Sequence, residues 1–268
     1  MDKIKYALLD TDFISKTYNI QNNDSDHLID LIVAMPEYRF YCHEQIQKEL
    51  NLHNKREVSI WLQNQIGSKV IRCFTDEEIL QYLLDSLGRS GIVVYVDFLQ
   101  KACEYYSKDY FIENFKKLNG IDYLDITKEK FIMALKHDCD ALGNDNNLGE
   151  LKSYVLIQFL MFMHDQRVYI FCSDDKKARR GMINFGIKCI SVISSFMRLQ
   201  KEIGFSKDEA LPYINTWLGI LKESGQSTFR IHNNYKEETV IRVACEKIFD
   251  EMFEGKLVEL QTGELKYR

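Results

Sequence analysis

A chain of 268 residues with 46% hydrophobic content and only 2 prolines has room for one large α/β domain, alone or with an appendage, and has no low-complexity tract. Its formal net charge of −5 excludes a global field that would draw in nucleic acid, so any such contact must come from a local basic patch. The 7 cysteines are odd in number and scattered, with no CxxC pair; this argues against a zinc site or disulfide framework and for a cytoplasmic protein with reduced core thiols. Met1 to Lys5 lack the apolar segment of a signal peptide, and no stretch is apolar enough to span a bilayer.

In chain order, Tyr6-Ala7-Leu8-Leu9 reads as a strand running into Asp10-Thr11-Asp12, then a helical stretch at 13–18 and a polar loop at 21–25. A helix is expected over 26–34, broken by Pro36, and a second strand at 38–41. Residues 43–52 read as a helix whose inward face carries Ile46, Glu49 and Leu50. A Glu buried there needs a cation, whereas a lone helical Glu otherwise points to solvent. A helix over 55–66 and a third strand over 69–74 follow. The Thr75-x-x-Glu78 capping box then opens a run of helices expected at 76–87, 92–106, 110–118 and 127–142. Tyr95, Phe98, Tyr105, Tyr106, Tyr110, Phe111 and Phe115 make this run aromatic, and at helical spacing they read as core rather than as a base-stacking platform.

After a loop at 143–148, Gly149-Glu150 opens a long apolar helix to about 164. A strand at 168–172, a helix at 176–185 stopped by Gly186, and a short strand at 187–191 come next. Helices are expected at 194–203 and from 206 to about 222, the second with a Ser206-x-x-Glu209 capping box. A helix over 237–253 and a hairpin over 256–267, turning at Thr262-Gly263, end the chain. Strands alternating with helices imply a mostly parallel central sheet covered by helices. On this reading 1–203 is one α/β domain with a helical insertion at about 75–142, and 204–268 is a mainly helical C-terminal extension.

The stretch Val168 to Arg180 is the most informative: an apolar, β-forming run stops at Ser173-Asp174-Asp175, and Lys176, Lys177, Arg179 and Arg180 follow at once. Open α/β sheets place ligands at the carboxyl ends of their strands, and Asp10 ends the first strand in the same way. Two core strands that both end in carboxylates suggest a shared acidic pocket. The competing reading is that each Asp merely caps the helix behind it, and that Glu150 merely answers a helix dipole.

ALLDTDFIS resembles the opening of a PIN (PilT N-terminus) domain, and the later order is similar too. Glu49 lies in a helix after the second strand, Leu148-Gly149-Glu150 opens a long helix, and Ser173-Asp174-Asp175 ends a strand with a basic tail behind it. The Gly-Glu pair and the DDKKAR tail are most like the bacterial PIN proteins that include toxin-like members. The resemblance covers 1–74 and 143–203. It implies a cytoplasmic, metal-dependent endoribonuclease acting on single-stranded RNA. Asp10, Glu49, Glu150 and Asp174 or Asp175 would be the catalytic ligands of Mg²⁺ or Mn²⁺. The family pattern favours Asp175 at the last position. Thr11, Asp12 and Ser173 would orient water or a carboxylate, and Lys176, Lys177, Arg179 and Arg180 would bind the RNA backbone. The chemistry fits independently, since hard divalent ions prefer oxygen ligands and supply both a nucleophile and charge cover for phosphodiester hydrolysis. An inhibitory protein partner and a homodimer are compatible with it; a membrane is not expected.

Two other readings stay open at this level. Asp10-Thr11-Asp12 also resembles the first motif of haloacid-dehalogenase-type phosphatases, with Asp10 as nucleophile and Asp12 as general acid, although Phe13-Ile14 replaces the usual Gly-Thr. The other is a PIN-like fold kept as a catalytically silent interaction module.

Overall fold

A computed structural model describes residues 4–143, 147–165, 168–233 and 240–268. Within it the chain forms two compact units. One is discontinuous, built from 1–39 and 169–268, and the other is the continuous segment 40–168.

The discontinuous unit begins with β1 (Lys5–Leu9), α1 (Thr11–Asn19) and α2 (Leu28–Val33). Ala7, Leu8 and Leu9 are fully buried, as a strand covered on both faces requires. α1 turns Phe13, Ile14 and Thr17 inward.

β2 (Tyr38–His43) leads into the continuous unit, with α3 (Glu44–Leu52), α4 (Arg56–Gly67) and β3 (Ile71–Phe74). β2 and β3 pair in parallel, with Cys42 opposite Cys73. Helices then follow one another: α5 (Asp76–Leu87), α6 (Ser90–Glu104), α7 (Tyr110–Asn114), α8 (Lys116–Asn119), α9 (Lys128–Ala141) and α10 (Leu148–His164). The capping box expected at Thr75 is formed, with Thr75 Oγ1 accepting from the Glu78 amide and Glu78 accepting from the Thr75 amide. Tyr95, Phe98, Phe111 and Phe115 are buried, so these four rings are core, while Tyr105, Tyr106 and Tyr110 are half-buried.

The chain returns to the first unit through β4 (Val168–Cys172), α11 (Lys176–Asn184), β5 (Lys188–Ile190) and α12 (Val192–Ile203). Five parallel strands in the order β3-β2-β1-β4-β5 make the central sheet, and helices flank it. The rest is α13 (Lys207–Glu223), β6 (Thr228–His232), β7 (Val240–Ala244), α14 (Cys245–Phe253), β8 (Leu257–Glu259) and β9 (Leu265–Tyr267). Here the structure departs from the expected helix over 237–253. Its first residues lie outside the described ones, Val240–Ala244 is a strand, and the helix starts only at Cys245. Val240, Ile241 and Val243 are β-branched, and such side chains fit a pleated surface better than a helical one. β6 was not anticipated at all. With the expected β8–β9 hairpin it completes a four-stranded sheet, β7-β6-β9-β8, so the C-terminal extension is mixed rather than mainly helical.

The tip of that hairpin covers β5. The Cys189 amide donates to Thr262 O at 2.8 Å, and Ser194 Oγ donates to Gly263 O at 3.3 Å. Behind it Arg198 donates to both oxygens of Glu259 and, at 2.6 Å, to Tyr38 Oη, fastening β8 to α12. No helix among the described residues is long and apolar enough to cross a membrane.

Candidate functional site

In the discontinuous unit β1 and β4 are neighbours, and the Asp10 amide donates to Cys172 O at 3.0 Å. That hydrogen bond brings the two strand ends together. Asp10 stands at the N-cap position of α1, yet its side chain makes no cap hydrogen bond. Instead Ser173 Oγ donates to Asp10 Oδ2 at 2.7 Å, and Asp10 is only 6% exposed. A buried carboxylate tolerates loss of water only with donors or a cation beside it. The capping explanation therefore fails for Asp10.

It holds for Asp175, whose Oδ1 accepts from the Ala178 amide at 2.7 Å and closes the first turn of α11. Asp174 is placed differently. Its Oδ2 accepts from Lys16 Nζ at 2.8 Å and its Oδ1 from the Val192 amide at 3.2 Å. Lys16 also reaches Asp12 at 2.8 Å, so one ammonium balances two carboxylates. Burial lowers the Lys16 pKa, but Asp174 and then Asp12 outweigh it and hold the group above its ordinary value. Thr11 is buried beside this set, Lys176, Lys177 and Arg180 are exposed, and Arg179 turns back to donate to Ser173 O at 3.0 Å.

The continuous unit holds the other two acids. Glu49 on α3 is half-buried, and its carboxylate lies against Gly149 in the first turn of α10. A Cβ added to Gly149 would lie 2.7 Å from Glu49 Oε1 and 2.9 Å from Oε2. Glycine leaves the space that the carboxylate fills, and the positive end of the α10 dipole favours an anion there. Glu150, next in the chain, is half-buried near Tyr106 and Tyr110; burial first and the Glu150 charge second raise the Tyr106 pKa.

Sequence reasoning missed a second charged group in this unit. Lys152, 1% exposed, donates to Asp76 Oδ1 and Oδ2 at 2.9 and 2.8 Å and to Tyr95 Oη at 3.2 Å. Tyr95 donates a short hydrogen bond to Asp76 Oδ1. His43 accepts from the Gln45 amide at Nδ1, which leaves Nε2 to donate to Asp76 Oδ1 at 3.1 Å. Burial disfavours both charges, yet Lys152 and then His43 hold Asp76 well below the carboxylate range, and Asp76 holds Lys152 above the usual lysine value. The legible signal was a single Lys in an otherwise apolar helix, LGELKSYVLIQFLMFM.

Among the described residues, no group of three or more His, Cys, Asp or Glu side chains comes together as a metal site. The acids nevertheless fit a hard divalent ion in chemistry: their donors are oxygens, Asp10 is not spent as a cap, and Glu49 rests in a cradle that a Cβ would fill. Comparison with protein-family models, curated proteins and solved structures finds no match for this chain.

Proposed function

We propose that this protein is a metal-dependent endoribonuclease acting on single-stranded RNA, with the PIN family as the group it resembles. The observation that carries the reading is Asp10: a buried carboxylate at a sheet's carboxyl edge, oriented by Ser173 and unused as a helix cap. Asp10 with Asp174 or Asp175 would supply the oxygens of the discontinuous unit that hold Mg²⁺ or Mn²⁺; Glu49 and Glu150 are the candidates of the continuous unit. Asp175 spends one oxygen on the cap of α11, and Asp174 accepts from Lys16 and from the Val192 amide, so both stay candidates for the last ligand. When bound, the ion supplies a water nucleophile and charge cover for the scissile phosphate.

The chain's own residues set that chemistry up. Ser173 fixes the rotamer of Asp10, and Lys16 keeps Asp12 and Asp174 from repelling each other. The phosphatase alternative needs Asp12 as a proton donor, and its engagement by Lys16 at 2.8 Å speaks against that role.

The test is cleavage of a single-stranded oligoribonucleotide by pure protein in Mn²⁺ and in EDTA. Asp10→Asn and Glu49→Gln, one change per unit, should each cut the Mn²⁺-dependent rate by two orders of magnitude or more, about 2.7 kcal/mol in the barrier. Hydrolysis of a phosphomonoester that survives Glu49→Gln and dies with Asp12→Asn would reverse the assignment to the phosphatase.

A further inference from the structure

Sequence reading places cations on α11 alone, but the C-terminal sheet adds a second basic surface beside it. β6 and β7 run antiparallel with Arg230 directly opposite Arg242, so both guanidinium groups leave the sheet on the same face. His232 lies two positions along on that face and pairs in register with Lys266 of β9. The alternate positions, Ile231, Val243 and Leu265, are buried, which turns the cationic face outward. α11 is tied to the same sheet through β5. Cys189, whose amide donates to Thr262 O at the tip of the β8–β9 hairpin, also donates through Sγ to Arg179 O of α11 at 3.5 Å. Glu264, just past that tip, stands 3.4 Å from His232.

Like charges opposed across two strands weaken a sheet, so the Arg230–Arg242 pair has an electrostatic cost inside the free protein. A polyanion laid over the pair removes it. Exposed guanidinium forks also match phosphate oxygens in geometry. The cations span a helix and three strands, too broad for one small anion and suited to a chain of phosphates.

We propose that the outer face of the C-terminal sheet and the exposed side of α11 form one RNA-backbone surface, in which Arg230, Arg242 and Lys266 continue the contact begun by Lys176 and Arg180. The choice of RNA rests on the ribonuclease reading; the surface itself does not. It gives the C-terminal extension a task, holding the strand that flanks the acidic strand ends.

The experiment separates binding from cleavage. A labelled single-stranded oligoribonucleotide is titrated with the full chain in EDTA across a KCl series, followed by fluorescence anisotropy. Arg230→Gln with Arg242→Gln should weaken binding at least tenfold at low salt. It should also reduce the log–log salt slope by about 1.4, two contacts at about 0.7 each. The melting temperature should stay or rise, since a repulsion is removed. Should the Gln pair melt lower, Arg230→Lys with Arg242→Lys decides, because it keeps the charge and must keep the slope. Unchanged affinity and slope in the Gln pair overturn the surface, whatever the nuclease assay gives. Equal affinity for polyglutamate also overturns it, in favour of an acidic protein partner. RNA binding that falls in the Gln pair, in a protein that never cleaves RNA, sinks the ribonuclease reading and leaves this surface standing.

Discussion

At the scale of single residues, Lys152 and Asp76 are the pair that the continuous unit can least afford to lose. Removing one partner leaves a buried charge uncompensated, so Lys152→Met should cost about 3–5 kcal/mol in unfolding free energy. Restoring neutrality with Asp76→Leu in the same chain should recover much of that loss, and a double-mutant cycle measured by denaturant titration would give the coupling. If Lys152→Met melts like the wild type, the pair is not what holds these helices. The pH dependence has two arms. Asp76 has a depressed folded pKa, so its stabilisation is full above about pH 3.9 and is lost as the pH falls from there through the folded value. Lys152 has a raised one, so its share is full below about pH 10.4 and is lost as the pH climbs through the higher folded value. Thermal melts across pH should fall at both ends for the wild type, and the alkaline arm should shrink in the double variant.

At the scale of elements, two glycines make opposite predictions. Gly149 faces the movable end of Glu49, so Gly149→Ala should fold normally and push the carboxylate aside. On the proposed ribonuclease reading Glu49 is a metal ligand; displacing such a group by about 1 Å can cost about 10²-fold, so Mn²⁺-dependent RNA cleavage should then fall by that order. An unchanged rate at an unchanged melting temperature would remove Glu49 from the site. Gly263 has φ +90° at the hairpin tip and faces the backbone carbonyl of Cys189, which cannot move aside. Gly263→Ala should therefore lower stability by more than about 1 kcal/mol and undock the hairpin from β5. Much of this layer was readable in advance. Both capping boxes, the turn at Thr262-Gly263 and the strands ending at Asp10 and Ser173 follow from local chemistry, and local chemistry is what a sequence displays. What escaped depends on distant partners. β6 and β7 are strands because they pair with each other and with β9, and Lys152 is buried because Asp76, 76 positions away, meets it. Nor could spacing tell Asp174 from Asp175, since the difference lies in Lys16 and Val192 on one side and an α11 amide on the other.

At the scale of the whole molecule, the order of the strands governs when the protein can fold. β1 is an interior strand of the sheet, and its neighbour β4 leads to Ser173, which is 163 positions beyond the Asp10 it holds. A ribosome adding about 5–20 residues per second needs roughly 8–30 s to cover that distance. Throughout that interval the buried residues Ala7, Leu8 and Leu9 have no finished site to enter, while the continuous segment 40–168 needs nothing beyond its own last residue. The continuous unit should therefore resist protease first on stalled nascent chains, with full protection of 1–39 arriving only as 169–268 leave the exit tunnel. Protection of both in step would rule this order out. Nascent chains halted before β4 leave β1 an open, apolar template, so slow translation between the units should show itself as aggregation through the N-terminus.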